Sequence, residues 1–319
     1  MGRLVSVVLV TWNSAPFLRR CLEGINQQTY RDRELIVIDN ASSDDSREIA
    51  PPRIANETNR GFAAAVNQGI AAAKGEFVLL VNPDAFLERA YIEQIVNAFD
   101  KAGEQFGMAT GKLLRGEGPN IDPTNIIDSM GIRMTRTGRH LDIGQGENDR
   151  PQVSGPRPQE IFGPSGAAAM YRMSFLRDVA IDGEIFDEDF FSFREDADIA
   201  WRGQLFGWSA MYVPSAVGYH VRRVMPSRRS ELPPNINMHS VKNRFLLRMK
   251  NEGAYLALRN APFELMRDLI AIAAVVTVEF SSIPALEWLL KNRRRVLAKR
   301  KIIQSRRKVS DRALARWFR

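Results

Sequence analysis

The sequence predicts an α/β fold, a mostly parallel and helix-covered sheet with a C-terminal helical extension. Three observations predict it. Short apolar runs alternate with helical patterns through the first third of the 319 residues. The runs are nearly unbroken in hydrophobicity, as strands buried on both faces are. Beyond about residue 236 only helical periodicity remains.

Residues 4–10 (LVSVVLV) form the first strand. Ser14 is placed to cap the helix that follows, with Pro16 in its first turn and Phe17, Leu18, Cys21, Leu22 and Ile25 at helical spacing. Residues 34–39 (ELIVID) make a second strand that ends on an acid, and residues 61–73 an alanine-rich helix. Residues 76–81 (EFVLLV) give a third strand running into Asn82-Pro83-Asp84, with a helix over 89–99. Between 115 and 160 Gly, Pro, Asp and Arg dominate, which predicts an excursion of loops around a short hairpin. Order returns at 167–172, before the acid- and aromatic-rich stretch 186–208. Two short strands at 209–213 and 216–221 follow, then helices over 237–250 and 264–280 and from Pro284 into the tail. The organisation expected is a body over 1–235, in two parts at about 1–110 and about 160–235. A helical region over 236–319 completes it.

Charge divides the chain. Residues 291–319 hold 13 Lys/Arg against one acid, Asp311, whereas the preceding 290 residues hold 32 Lys/Arg and 36 Asp/Glu. Val296, Leu297, Ile302, Ile303, Leu314, Trp317 and Phe318 interleave with the basic residues, a pattern suited to an anionic membrane surface. No nucleic-acid module is present, and the acidic body argues against nucleic acid as a partner. A single cysteine, Cys21, excludes an intrachain disulfide and suits the cytoplasm. The first residues lack the charged, apolar and cleavage regions of a secretory signal. The most apolar stretch, 269–278, is ten residues long, too short to span a bilayer, which needs about 20.

In open parallel sheets ligands bind beyond the carboxyl ends of strands. Those ends carry Thr11-Trp12-Asn13, Asp39-Asn40 and Asn82-Pro83-Asp84. Asp39 suits the imide N–H of a pyrimidine, with Thr11 beside it. No G-x-G-x-x-G follows the first strand and no P-loop lysine motif occurs, which excludes the usual dinucleotide and P-loop chemistries. Taken singly, Asp39 and Asp84 serve equally as turn formers. Glu195, Asp196 and Asp198 likewise suit the first turn of a helix. Their joint placement points to a site.

Five motifs in order, VTWN at 10–13, VIDNASSD at 37–44, NRGFAAAVNQG at 59–69, LLVNPD at 79–84 and FFSFREDADIAWR at 190–202, resemble family 2 glycosyltransferases of the GT-A type, and within them the rhamnosyltransferase-like branch. The resemblance covers roughly residues 4–225. It implies nucleotide contacts from Thr11, Asn13, Asp39, Arg60 and Asn82, and a divalent metal, Mg²⁺ or Mn²⁺, on Asp84 and His220. It further implies Asp196 as catalytic base with Glu195 beside it, in a catalytic body whose nucleotide-binding half is about 1–110 and whose acceptor half is about 160–235. Ser165 and Gly166 serve either to bring a loop to the donor sugar or to form a turn, and Trp201 either faces the acceptor or, the stronger reading, packs in the core. Asn82 stands where the family's metal motif usually has its first Asp. The activity implied is inverting transfer of a sugar, L-rhamnose from dTDP-rhamnose, to a glycan or polyprenyl-linked glycan in cell-envelope polysaccharide synthesis. The enzyme would sit peripherally on the cytoplasmic face of the membrane. A UDP-dependent hexosyl or galactofuranosyl transferase and a silent nucleotide-sugar-binding scaffold stay open, as does a homodimer through the apolar helices at 262–290.

Overall fold

A computed structural model describes residues 3–222 and 234–319. Its strands are β1 (Val5–Thr11), β2 (Arg33–Asp39), β3 (Ile54–Ala55), β4 (Phe77–Val81), β5 (Ala85–Leu87), β6 (Phe106–Glu117), β7 (Asp122–Ser129), β8 (Ile132–Met134), β9 (His140–Asp142), β10 (Gln159–Ile161), β11 (Ala168–Arg172) and β12 (Ser209–His220). The helices are α1 (Ala15–Asn26), α2 (Ser46–Ile49), α3 (Phe62–Ala72), α4 (Tyr91–Lys101), α5 (Pro151–Ser154), α6 (Met173–Val179), α7 (Glu195–Leu205), α8 (Pro234–Asn251), α9 (Ala254–Thr277), α10 (Ile283–Lys291), α11 (Arg293–Ser305) and α12 (Asp311–Leu314).

One sheet runs β3-β2-β1-β4-β11-β6-β12-β10, with β5 added on β12 and β7 on β6. The pairs among β3, β2, β1 and β4 are parallel, β11 is antiparallel to both neighbours, and β12 is parallel to β6. Alternation along β1 feeds two faces. Val5, Val7 and Leu9 pack under α1 and α4, against Leu18, Cys21, Ile25 and Ile92. Val8 and Val10 join the other core with Val66 of α3, Trp201 of α7 and the C-terminal residues Leu246, Leu256, Val296 and Phe318. Helices thus cover both faces, and the C-terminal helices share the core of the second face. The expected boundary near 235 follows residues 223–233, which lie outside the described residues.

Sequence and structure part in three places. Ser14 stands at the N-terminus of α1 without capping it: its hydroxyl donates to Trp12 O, and Asp44 Oδ2 accepts the Ala15 N–H at 2.9 Å instead. The 115–160 stretch is richer in strand than expected, because β6 continues to Glu117 and turns back as β7, with the β8–β9 hairpin beyond. The two strands read at 209–213 and 216–221 are one, β12, whose register against β6 shifts between Val213 and Val217.

Three features of the tail differ from a membrane anchor. Phe318 is fully buried, its ring 5.0 Å from Trp201 and 6.2 Å from Phe162. Trp317 packs on Phe162 and donates from Nε1 to Gln204 Oε1 at 3.2 Å. Lys299 is buried against Glu184, Asp187 and Asp189 at 3.0, 2.7 and 3.1 Å. The tail aromatics complete the core, and part of the tail charge neutralises the acidic segment before α7. The exposed apolar surface lies on α9 instead, where Leu258, Leu265, Met266, Leu269, Ile270 and Val276 face solvent. Among the described residues no single helix is long and apolar enough to cross a membrane; α9 and the stretch Phe280–Lys291 reach that length only together, across a 111° bend.

Candidate functional site

Parallel pairing of β1 with β2 sets Thr11 opposite Asp39, so both polar residues reach the same carboxyl edge. Thr11 Oγ1 donates to Asp39 Oδ1 at 3.0 Å. The other oxygen, Oδ2, accepts from Ser42 N at 3.0 Å and Arg47 Nε at 2.6 Å. Burial alone would raise the Asp39 carboxyl; Ser42, Arg47 and Thr11 outweigh it and hold it below its ordinary value. Thr11 and Asp39 have no exposed surface. Both carboxylate oxygens of Asp39 are engaged within the protein, and the pair shapes the turn. Asn13, with φ 47°, accepts from Ser43 N at 2.8 Å and closes the turn from the other side. Trp12 between them is 47% exposed. It is the aromatic surface offered at this edge, and the sequence reading did not single it out.

Asn40 carries the next link. Its Oδ1 accepts the Arg60 N–H at 3.0 Å, and its Nδ2 donates to Asn59 Oδ1 and Gly61 O. The Arg60 side chain is exposed. Gly61 has φ 86°, and a Cβ there would lie 2.6 Å from the Phe191 ring. Only glycine lets the two motifs, 59–69 and 190–202, meet this closely.

The antiparallel pairing of β5 with β12 sets Ala85 opposite His220 and thereby brings Asp84 beside the imidazole. His220 Nε2 lies 3.3 Å from Asp84 Oδ1, and Nδ1 lies 2.9 Å from Asp128 Oδ2. Asp128, fully buried on β7, also accepts from Arg222 Nε at 2.6 Å. Burial would lower the His220 pKa, but Asp84 and Asp128 push it up to about 10. Burial would raise Asp128, but His220 and Arg222 hold it down at about 2. A proton on His220 Nε2 thus stands where a cation can stand. The donor set fits a divalent ion: a carboxylate oxygen and an imidazole nitrogen at ligand spacing, the second ring nitrogen held by a carboxylate. Among the described residues no group of three or more His, Cys, Asp or Glu side chains forms a complete protein cage. Asp84 and His220 would hold such an ion only together with oxygen donors from outside the protein.

The turn bearing Asn82 and Asp84 is joined to the acidic loop. Asn82 N donates to Ala167 O at 2.9 Å, and the neighbouring Gly166 N donates to Asp196 Oδ2 at 3.1 Å. Asp196 Oδ1 accepts from Ala197 N at 2.7 Å. Ser165 is buried in the same segment. Glu195 is buried with Oε2 unpartnered; burial and then Asp196 push it up to about 8. Burial also raises Asp196, against Gly166, Ala197, Arg222 and Arg194. Of the pair, Asp196 keeps the negative charge, because it alone receives two N–H donors. Trp201, open in sequence between core and acceptor, is fully buried against Phe162 and Phe318. The acceptor contact is corrected for a simple reason: α7 turns that position inward, so its ring is core.

The loop before α7 holds Phe191, Phe193 and Arg194 at φ 64°, 69° and 70°, conformations that non-glycine residues seldom adopt. Asn243 of α8 secures them. Fully buried, its Nδ2 donates to the carbonyls of Phe190, Ser192 and Phe193 at 2.9, 2.7 and 2.8 Å. The sequence reading missed Asn243 and Asp128; a buried Asn on a helix and a buried Asp in an irregular stretch leave little local signal.

Comparison with known proteins bears on this geometry. Residues 6–179 match the model described as glycosyl transferase family 2. Over 282 residues the chain is 26% identical to EpsH of Bacillus subtilis, which carries a glycosyltransferase name, covering 81% of this chain and 68% of that one. It is 29% identical over 251 residues to the N-acetylglucosaminyl-diphospho-decaprenol L-rhamnosyltransferase of Mycobacterium tuberculosis, covering 69% and 76%. The fold is similar to a mannosyltransferase from Pyrobaculum calidifontis solved with GDP-Man and Mn²⁺, with a TM-score of 0.51 at 19% identity over 95% of this chain and 85% of that one.

Proposed function

The chain belongs to glycosyl transferase family 2, and from that premise we propose that it moves one sugar from a nucleoside-diphosphate donor to a hydroxyl of a lipid-linked glycan in cell-envelope polysaccharide synthesis, inverting the anomeric centre. One observation carries the reading. The Asp84–His220 pair and the Asp196 carboxylate are tied to one another through residues 165–167. A carboxylate–imidazole pair and a second carboxylate around one segment support a cation site beside a base. The identity to the mycobacterial rhamnosyltransferase supports L-rhamnose from dTDP-rhamnose as the donor.

A divalent ion, Mg²⁺ or Mn²⁺, held by Asp84 and His220 Nε2 would neutralise the charge that develops on the departing diphosphate. The chain's own residues do the rest. Asp196 Oδ2, oriented by the Gly166 N–H, accepts the proton of the acceptor hydroxyl. The acceptor oxygen forms its bond to the anomeric carbon as the bond from that carbon to the diphosphate oxygen breaks. The electron pair leaves with the nucleoside diphosphate, and the proton rests on Asp196. Glu195, neutral beside it, avoids a second charge in the same buried space.

The reading puts the enzyme peripherally on the cytoplasmic face of the membrane, held by α9 rather than by the tail aromatics. The acids of α9, Glu264 and Asp268, are paired with Arg248 and Arg244, while Arg293 and Arg294 beyond α10 are exposed. An apolar face without unpaired acids, followed by exposed cations, suits anionic lipid. Sedimentation with anionic liposomes tests it: Leu269→Glu should release the protein, and equal binding of the variant rejects α9 as the contact.

Calorimetric titration of dTDP and UDP, with and without Mn²⁺, tests the donor, followed by transfer from dTDP-rhamnose. Metal-dependent dTDP binding with transfer of rhamnose is expected. Binding of UDP alone would assign a hexosyl or galactofuranosyl donor. Nucleotide binding without transfer or donor hydrolysis would assign a scaffold.

A further inference from the structure

Beside Asp196 the fold gathers arginines from four elements. Arg139 closes the turn before β9 and Arg194 precedes α7, its Nη1 3.3 Å from His140 Nδ1. Arg244 follows Asn243 on α8, and Arg267 precedes Asp268 on α9. The elements are packed together. Gly138, next to Arg139, touches Arg248 of α8, and Arg244 Nε lies 3.2 Å from Asp268 Oδ1 of α9.

The local charge does not balance. Asp268 is shared between Arg244 and Arg248, and Glu264 is paired with Arg248. Of the other acids nearby, Asp142 is paired with Arg222 and Asp196 is committed to the acceptor hydroxyl, while burial and a neighbouring acid push Glu195 and Glu252 up to about 8. Burial and the charges of Arg244, Arg139 and Arg267 bring the Arg194 pKa down to about 10 despite Asp196. Burial and then Arg194 bring His140 down to about 3, so the imidazole adds no charge of its own and is free to accept from Arg194. Three donors within the cluster are buried without a hydrogen-bond partner, Arg244 Nε (an ion-pair neighbour of Asp268), Arg244 Nη2 and Arg267 Nε; Arg244 is 9% exposed. Like charges around orphaned donors call for an anion with several acceptor oxygens, and guanidinium forks match phosphate.

We propose that Arg139, Arg194, Arg244 and Arg267 bind a phosphate or diphosphate group carried by the acceptor, and that the acceptor's lipid chain lies along the exposed apolar face of α9. The proposal rests on the reading of Asp196 as the acceptor-side base. Two features select the acceptor over the donor. The cluster adjoins Asp196, whereas the donor's diphosphate belongs with Asp84 and His220. It also includes Arg267 of α9, the helix that exposes Leu265, Met266 and Leu269. On the same helix, Arg136 lies 4.0 Å over the ring of Phe263. One helix thus carries a half-buried cation toward the body and an apolar surface toward solvent, a pairing suited to an amphiphile.

The full chain is titrated with farnesyl diphosphate in EDTA, so that no metal supports the donor site. Farnesol and inorganic pyrophosphate are separate arms. Farnesyl diphosphate should bind, and Arg267→Gln and Arg139→Gln, both at half-buried positions, should each weaken it roughly tenfold. Pyrophosphate should bind more weakly and show the same dependence. Asp84→Ala should leave both unchanged. Equal affinity for farnesol, unchanged binding in the arginine variants, or loss of binding in Asp84→Ala would each overturn the proposal. A parallel dTDP titration with Mn²⁺ reads the donor site separately. If that fails while farnesyl diphosphate binding keeps its arginine dependence, the functional reading falls and the phosphate site stands.

Discussion

His220 Nδ1 and Asp128 Oδ2 lie 2.9 Å apart, a contact between residues 92 positions apart in the chain. It turns the ring so that Nε2 faces Asp84, and it fixes which nitrogen is free to bind a cation. Asp128→Asn should therefore weaken Mn²⁺ binding by about 10–100-fold. Calorimetry of Mn²⁺ in the presence of dTDP checks it, and an unchanged affinity would leave His220 oriented by other groups.

Asp196 is held by two backbone donors and stands apart from the Asp84–His220 pair. Asp196→Asn should lower the transfer rate on the order of 10²–10⁴-fold while donor affinity is kept. Single-turnover rates beside a nucleotide titration separate the two effects. Normal turnover would remove Asp196 as the base.

Asn243 bridges three carbonyls of the strained loop before α7. Asn243→Ala removes these bonds and should destabilise the protein by about 1–3 kcal/mol. Because the loop leads into Glu195 and Asp196, transfer should fall further than the loss of folded protein explains. Chemical denaturation and activity per folded molecule measure both, and proportional losses would make Asn243 purely structural.

Glu195 gives a pH signature. Its folded pKa, about 8, lies above the ordinary 4.5, so the folded state binds the proton more tightly than the unfolded state. Its contribution to stability is complete below the unfolded value and is lost as pH rises through the folded one. Glu195→Gln, which stays neutral, should lose less melting temperature than wild type between about pH 5 and pH 9. Parallel curves would place the proton elsewhere in the pair.

The first half of the sheet was legible because its signals are local. The unbroken apolar runs of β1, β2 and β4 and the acids or amides at their ends need no distant partner to be read. The second half was harder. Trp201 among acids and aromatics suits either core packing, the stronger reading, or a sugar contact, and its core partner Phe318 lies 117 residues later. Asp128 lies in a stretch whose strands contain Pro, Asn, Thr and Asp and so lack the alternation that marks a sheet. The basic tail read as an anchor because composition cannot tell a cation bound for lipid from Lys299, which meets three acids inside the protein.

The burial of Phe318 against Trp201 also sets an order of assembly. The sheet from β1 to β4 can form from neighbours close in sequence, whereas the cluster of Phe162, Trp201 and Phe318 waits for a segment synthesised much later. During synthesis the sheet from β1 to β4 can therefore be structured while α7 still lacks a packing partner. The core behind α7 closes only once Phe318 has been made.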